Sequence, residues 1–143
     1  MKAYCVETAA IRYNLEKLTR LAGKTPIWAV LKGNGYGLGT GEMAKLCHEA
    51  GIRRFCVTEI SEAMDIRMQF AQAEILMLRP TTDLGELQQM LDLDVIATIS
   101  CSAEAAALNS LAAQRGTVAE VHLKLDTGMR HTASVQTRAG MVW

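Results

Sequence analysis

No stretch of this chain approaches the roughly 20 consecutive apolar residues that a bilayer-spanning helix needs, and none reads as a membrane segment. The first ten residues, MKAYCVETAA, lack the apolar centre of a secretory signal, so a cytoplasmic location is expected. Neither charge is in excess. Fifteen Lys and Arg stand against fifteen Asp and Glu. That balance argues against a nucleic-acid partner and against an acidic membrane surface. The four cysteines (Cys5, Cys47, Cys56 and Cys101) contain no C-x-x-C pair, and no histidine lies at a metal-ligand interval from them. No metal is expected, and the thiols are read as buried and free. Proline occurs only at Pro26 and Pro80, flanking apolar runs and interrupting none.

What is present is an alternation. Half of the 143 residues are hydrophobic, enough for one domain with a core. Apolar runs at Ile27–Leu31, Phe55–Thr58, Ile75–Leu78, Val95–Ile99 and Val118–Leu125 read as strands. Helix-period stripes fill the gaps: Met43, Leu46, Cys47 and Ala50; Leu84, Leu87 and Leu91; Ala105, Leu108 and Ala112. An earlier helix carries Ile11, Leu15, Leu18 and Ala22, with Thr8 as its expected cap. Strand–helix repeats of this kind predict an α/β fold with a parallel sheet and right-handed crossovers. About five βα units are present, against the eight of a closed barrel of some 250 residues. The pattern alone leaves an open α/β domain and a partial barrel equally possible.

Chemistry concentrates after the first of these strands. Lys32 follows Leu31, and five glycines arrive between Gly33 and Gly41. In α/β sheets, reacting groups sit at the carboxyl ends of strands. A dinucleotide fingerprint fails on spacing, because the sixth position counted from Gly33, Gly35 or Gly37 is Leu38, Thr40 or Glu42. A phosphate-binding P-loop ending at Gly23-Lys24-Thr25 fails because Leu18 occupies its opening glycine. A third reading is a lysine that condenses with an aldehyde. Partial burial favours the neutral, nucleophilic amine, and Tyr36 would offer its hydroxyl to a phosphate. The plain alternative is an exposed lysine before a glycine-rich turn. Farther on, Val121, Leu123 and Leu125 alternate with His122, Lys124 and Asp126. His122 is read as a core histidine, and Lys124 as a member of a structural ion pair.

The run A-V-L-K-G-N-G-Y-G-L-G, Ala29 to Gly39, resembles the pyridoxal-phosphate attachment motif of alanine racemases, usually A-V-[VL]-K-A-N-A-Y-G-H-G. It departs at Gly33, Gly35 and Leu38. The segment H-L-K-L-D-T-G-M, His122 to Met129, is similar to that family's H-[LV]-K-[LIV]-D-T-G-M-x-R. Weaker matches are Ala3–Glu7 with Ile11–Leu15, and Glu62, Ala63 and Arg67 within an E-A-x-x-L-R pattern. The resemblance implies a partial (β/α)8 TIM-type barrel spanning residues 1–129. It implies pyridoxal 5'-phosphate as cofactor, Lys32 as its covalent anchor and one catalytic base, and Tyr36 as a phosphate ligand. It marks Lys124 as a carbamylation candidate, since the matching lysine is carbamylated in some members.

The implied activity is interconversion of L- and D-alanine, the step that supplies D-alanine for cell walls, in a homodimer of full-length members. A serine racemase of the same fold, or a non-catalytic cofactor-binding module, stands as the alternative. The family's arginine after Met129 is matched in place by His131, with Arg130 one position early. Residues 130–143 have neither helix nor strand period and are expected to be an aberrant or frame-shifted tail. Codons for His131–Thr137 exist that one inserted G converts to Arg-Tyr-Gly-Phe-Gly-Ala-Asp. On this reading the chain is an N-terminal piece, expected to be inactive alone because the base for the second substrate face comes from a C-terminal domain.

Overall fold

The apolar runs pair side by side. The computed structural model describes residues 5–127. Its elements alternate in the order α1 (Thr8–Ala22), β1 (Trp28–Val30), α2 (Lys32–Tyr36), α3 (Thr40–Glu49), β2 (Arg54–Val57), α4 (Ile60–Gln69), β3 (Glu74–Met77), α5 (Leu84–Asp92), β4 (Val95–Ile99), α6 (Ser102–Arg115) and β5 (Val121–Leu123). The five strands lie in chain order, β1-β2-β3-β4-β5, and every neighbouring pair is parallel. Parallel neighbours need crossovers, and the helices between them supply these.

Strand registers divide the side chains between two faces. Phe55, Ile75, Val95 and Ala97, with Val57, Met77 and Ile99, pack against the helices through Leu46, Ala63, Ile66, Leu87 and Leu108. Phe55, Val57, Ile66 and Ile75 are fully buried there. Residues of the opposite parity, Cys56, Leu76 and Ile96, form a second apolar cluster with Trp28 and Leu78. Two apolar faces are what a parallel sheet in an α/β fold requires.

The sheet is not flat. In a flat sheet β1 and β5 would stand four strand spacings apart, about 19 Å. Yet the rings of Trp28 on β1 and His122 on β5 meet edge to face, with centroids 5.8 Å apart. The sheet therefore curls into a trough, with Trp28, Cys56, Leu76, Ile96 and His122 on its concave side. This is the curvature of a barrel wall.

The N-terminal edge is built for stability. Arg54 donates through Nε to both Glu74 oxygens at 2.9 Å and lies over the Trp28 ring. The Arg67 guanidinium donates to the carbonyls of Ala71, Ala73, Leu93 and Asp94, tying α4 to the entries of β3 and β4. No helix among the described residues is long and apolar enough to cross a membrane.

Several local expectations change. Thr8 is the first residue of α1 and not its cap; Glu7 occupies that position without a side-chain capping bond. Only Leu15 of the α1 stripe is buried, while Leu18 is 53% exposed, because α1 covers the edge of the fold. Cys47 and Cys56 are buried, and burial pushes the Cys56 thiol up to about 11. Cys5 and Cys101 are exposed, Cys101 because it starts α6 outside the core. The fifth strand is shorter than its apolar run, since Val118 precedes it at 95% exposure. The expected aberrant tail, residues 130–143, lies outside the described residues, as does His131.

Candidate active site

The C-terminal edge of β1 runs into a turn of unusual hand. Gly33, Asn34 and Gly35 have φ of 63°, 54° and 60°, and Tyr36 has φ of 56°. Four consecutive residues in the left-handed region make a left-handed helical turn, α2. Its i to i−4 bonds run from Gly35 N–H to Leu31 O and from Gly37 N–H to Gly33 O, each 2.9 Å. For side-chain-bearing L-residues this conformation costs about 1–2 kcal/mol per residue. Glycine at two of the four positions removes that cost there, and asparagine tolerates the region better than most residues. The glycine-rich composition after Leu31 thus has a specific conformational cause.

Two side chains hold the turn. The Asn34 amide oxygen accepts from Thr40 N–H at 3.1 Å, at the first turn of α3. The Glu62 carboxylate is buried, 5% exposed, and accepts three backbone N–H groups. One oxygen takes Thr58 at 3.0 Å and Glu59 at 3.1 Å, the capping of α4. The other takes Asn34 N–H at 2.8 Å. Burying a carboxylate is costly unless its oxygens are satisfied, and here each has a backbone donor.

Lys32 opens this turn at the sheet's C-terminal edge and is half-buried. Tyr36 closes it and is 65% exposed, so its phenol is open to solvent. Lys124 leaves β5 along the same edge. Its N–H donates to Ile99 O at 2.8 Å, and the residue is half-buried. Because the strands are parallel, Lys32 and Lys124 lie on one rim; because the sheet curls, the two ends of that rim turn toward each other. His122, expected as a core histidine, is an exposed trough residue against Trp28.

The residue that sequence reasoning underused is Glu62. Glu62 stands at the third position of α4, where a capping-box glutamate sits, but Glu59 at the cap is not the Ser or Thr that would have marked the box in the sequence. The bond from its second oxygen to Asn34 joins residues 28 apart and has no sequence signature. Thr98, buried on β4, donates its hydroxyl to Met77 O at 2.6 Å and serves the sheet.

The donor set suits an aldehyde cofactor with an anionic tail. Lys32, half-buried, and Tyr36, exposed, stand at the two ends of one turn, which offers a primary amine and a phenol together.

Comparison with known proteins bears on the family and the fold. Residues 6–142 match the family described as alanine racemase, N-terminal domain. The alanine racemase of Desulfosudis oleivorans is 37% identical over 127 residues, covering 87% of this chain and 32% of the relative. That of Desulforamulus reducens is 34% identical over 125 residues, covering 87% and 34%. Among solved structures, alanine racemase from E. faecalis superposes with a TM-score of 0.77 at 34% identity, covering 88% of this chain and 34% of the other. The chain spans about a third of the length of the curated relatives it matches. The curled five-stranded sheet is accordingly part of the TIM-type barrel of these enzymes. This chain belongs to the alanine racemase N-terminal domain family.

Proposed function

We propose that the chain supplies the pyridoxal-phosphate-binding part of an amino-acid racemase, with alanine as substrate, working in the cytoplasm as a homodimer. The observation that carries this reading is the placement of Lys32, a half-buried residue, on a braced left-handed turn at the C-terminal rim of a barrel wall.

When bound, the cofactor supplies an electron sink for negative charge at the substrate Cα. Lys32 Nζ would be the covalent anchor for the cofactor aldehyde, and its amine would be the group that takes or returns a proton on one face of Cα. The Tyr36 hydroxyl would donate to the cofactor phosphate. Lys124 is the carbamylation candidate: as a carbamate on the rim it would turn a cation into an anion able to orient a nearby guanidinium. Racemisation needs a second proton carrier on the opposite face of Cα. Such a group is typically worth 10²–10⁴ in rate.

The test is chemical. The chain is incubated with pyridoxal phosphate, reduced with borohydride and mapped by mass spectrometry. The stable adduct is expected on Lys32, and Lys32→Arg is expected to lose it. Adducts scattered over surface lysines, with none at Lys32, would remove the assignment. A racemase assay on the same sample separates an enzyme from a cofactor-binding module.

A further inference from the structure

We propose that Glu62 is a positioning residue for Lys32, acting through the left-handed turn. This rests on the reading of Lys32 as the cofactor anchor. Two capping glutamates in the same molecule isolate the point. Glu104, third residue of α6, accepts the N–H groups of Ser100 and Cys101, at 2.6 and 3.1 Å, and the hydroxyl of Ser100. All its bonds stay within its own strand–helix junction. Glu62, third residue of α4, makes the same pair of bonds to Thr58 and Glu59. Its remaining oxygen crosses from the β2–α4 junction to the β1–α2 junction and takes Asn34 N–H.

Asn34 stands two residues after Lys32, in a conformation that an L-residue adopts at a cost. An ionised acceptor on a backbone N–H is among the stronger hydrogen bonds a protein makes. Buried at 5% exposure, it is shielded from competing water. Glu62 therefore offsets the strain of the turn from outside it and fixes where the backbone of Lys32 leaves β1. Asn34 completes the brace by holding Thr40 with its side chain, which joins the turn to α3. The carboxylate touches neither amine nor substrate; it sets the direction from which the amine approaches an aldehyde. Near-attack placement is worth large factors, and small misplacements lose them.

The test compares Glu62→Gln with Glu104→Gln in the full chain. Both weaken the same two capping bonds, and only the first weakens the bond to Asn34. Three readouts are taken: the cooperativity of thermal unfolding, amide exchange at Asn34 against the β2 residues Phe55–Val57, and the rate of borohydride-trapped labelling of Lys32 by pyridoxal phosphate. Glu62→Gln is expected to speed Asn34 exchange at least tenfold, with β2 protection retained, and to slow Lys32 labelling several-fold. Glu104→Gln is expected to leave both near wild type. Equal effects of the two variants on Lys32 labelling would overturn the proposal.

The wild type gives a measurement that survives a variant that fails to fold. Its Asn34 amide is expected to be protected although the residue is exposed, and exchange at the rate of a free amide would also overturn the proposal. If the wild-type chain shows no label at Lys32, the cofactor reading fails by itself, while Asn34 exchange still decides whether Glu62 braces the turn.

Discussion

At the scale of single residues, the two glycines flanking Asn34 do different work. A methyl group built on Gly33 meets nothing within 4 Å, so Gly33→Ala pays only for its φ of 63°. The same methyl on Gly35 lies 3.2 Å from Thr40 N and 3.3 Å from the Met43 side chain. Gly35→Ala thus pays for a similar φ and for a close approach of α2 to α3. Gly33→Ala is expected to lower stability by about 1 kcal/mol, and Gly35→Ala by more, measured by denaturant unfolding. A Gly35→Ala variant as stable as wild type would mean that the turn does not sit against α3 as described. The sequence showed that something glycine-dependent follows Leu31, and the resemblance singled out Lys32 and Tyr36. It did not show the hand of the turn, because glycine permits positive φ without requiring it.

At the scale of elements, the junctions after the strands are fastened by acidic side chains in the first turns of the helices. Asp83 caps α5 by accepting Glu86 N–H at 2.8 Å. Arg79, just beyond β3, donates to both Glu86 oxygens at 2.6 and 3.1 Å. The Arg79 hydrogen bonds, helped by one from Thr81, hold the Glu86 carboxyl below its ordinary 4.5. A depressed carboxyl contributes stability that is complete above the unfolded-state value and is lost as pH falls through the folded-state value. Arg79→Met is therefore expected to destabilise the protein at neutral pH, with the gap to wild type closing as pH drops below the ordinary carboxyl value. Unfolding curves collected from neutral pH down to about pH 3 check this. A gap that stays constant over that range would show that the pair is screened out.

Element boundaries were legible where composition is decisive. Val95–Ile99 reads as a strand and is one, β4. The helix stripes were read off-centre: Leu84 and Ala105 are exposed, while Met90 in α5 and Leu111 in α6 are buried, because three apolar positions do not fix the middle of the buried arc. The run was read from Val118, but β5 begins at Val121: Ala119 and Glu120 are poor strand formers, although the Glu120 carbonyl already accepts Ala97 N–H at 3.1 Å.

For the whole molecule, the sequence left an open domain and a curved wall undivided, because both are written in the same alternation of strand and helix. Only a contact between strands that are not neighbours separates them, and Trp28 with His122 is such a contact. In a flat sheet the two rings would be out of reach, and sites well separated in space add within a few tenths of a kcal/mol. Trp28 also lies under Arg54, so Trp28→Ala alone mixes two losses. The double-mutant cycle with His122→Ala removes the Arg54 contribution from the coupling term. A coupling of about 1 kcal/mol, the scale of edge-to-face ring pairs, is expected from denaturant unfolding of the four proteins. Strict additivity would mean that β5 does not turn toward β1. Lys124, one residue beyond that strand, would then stand at the far end of an open sheet from Lys32, and no single cofactor could serve both.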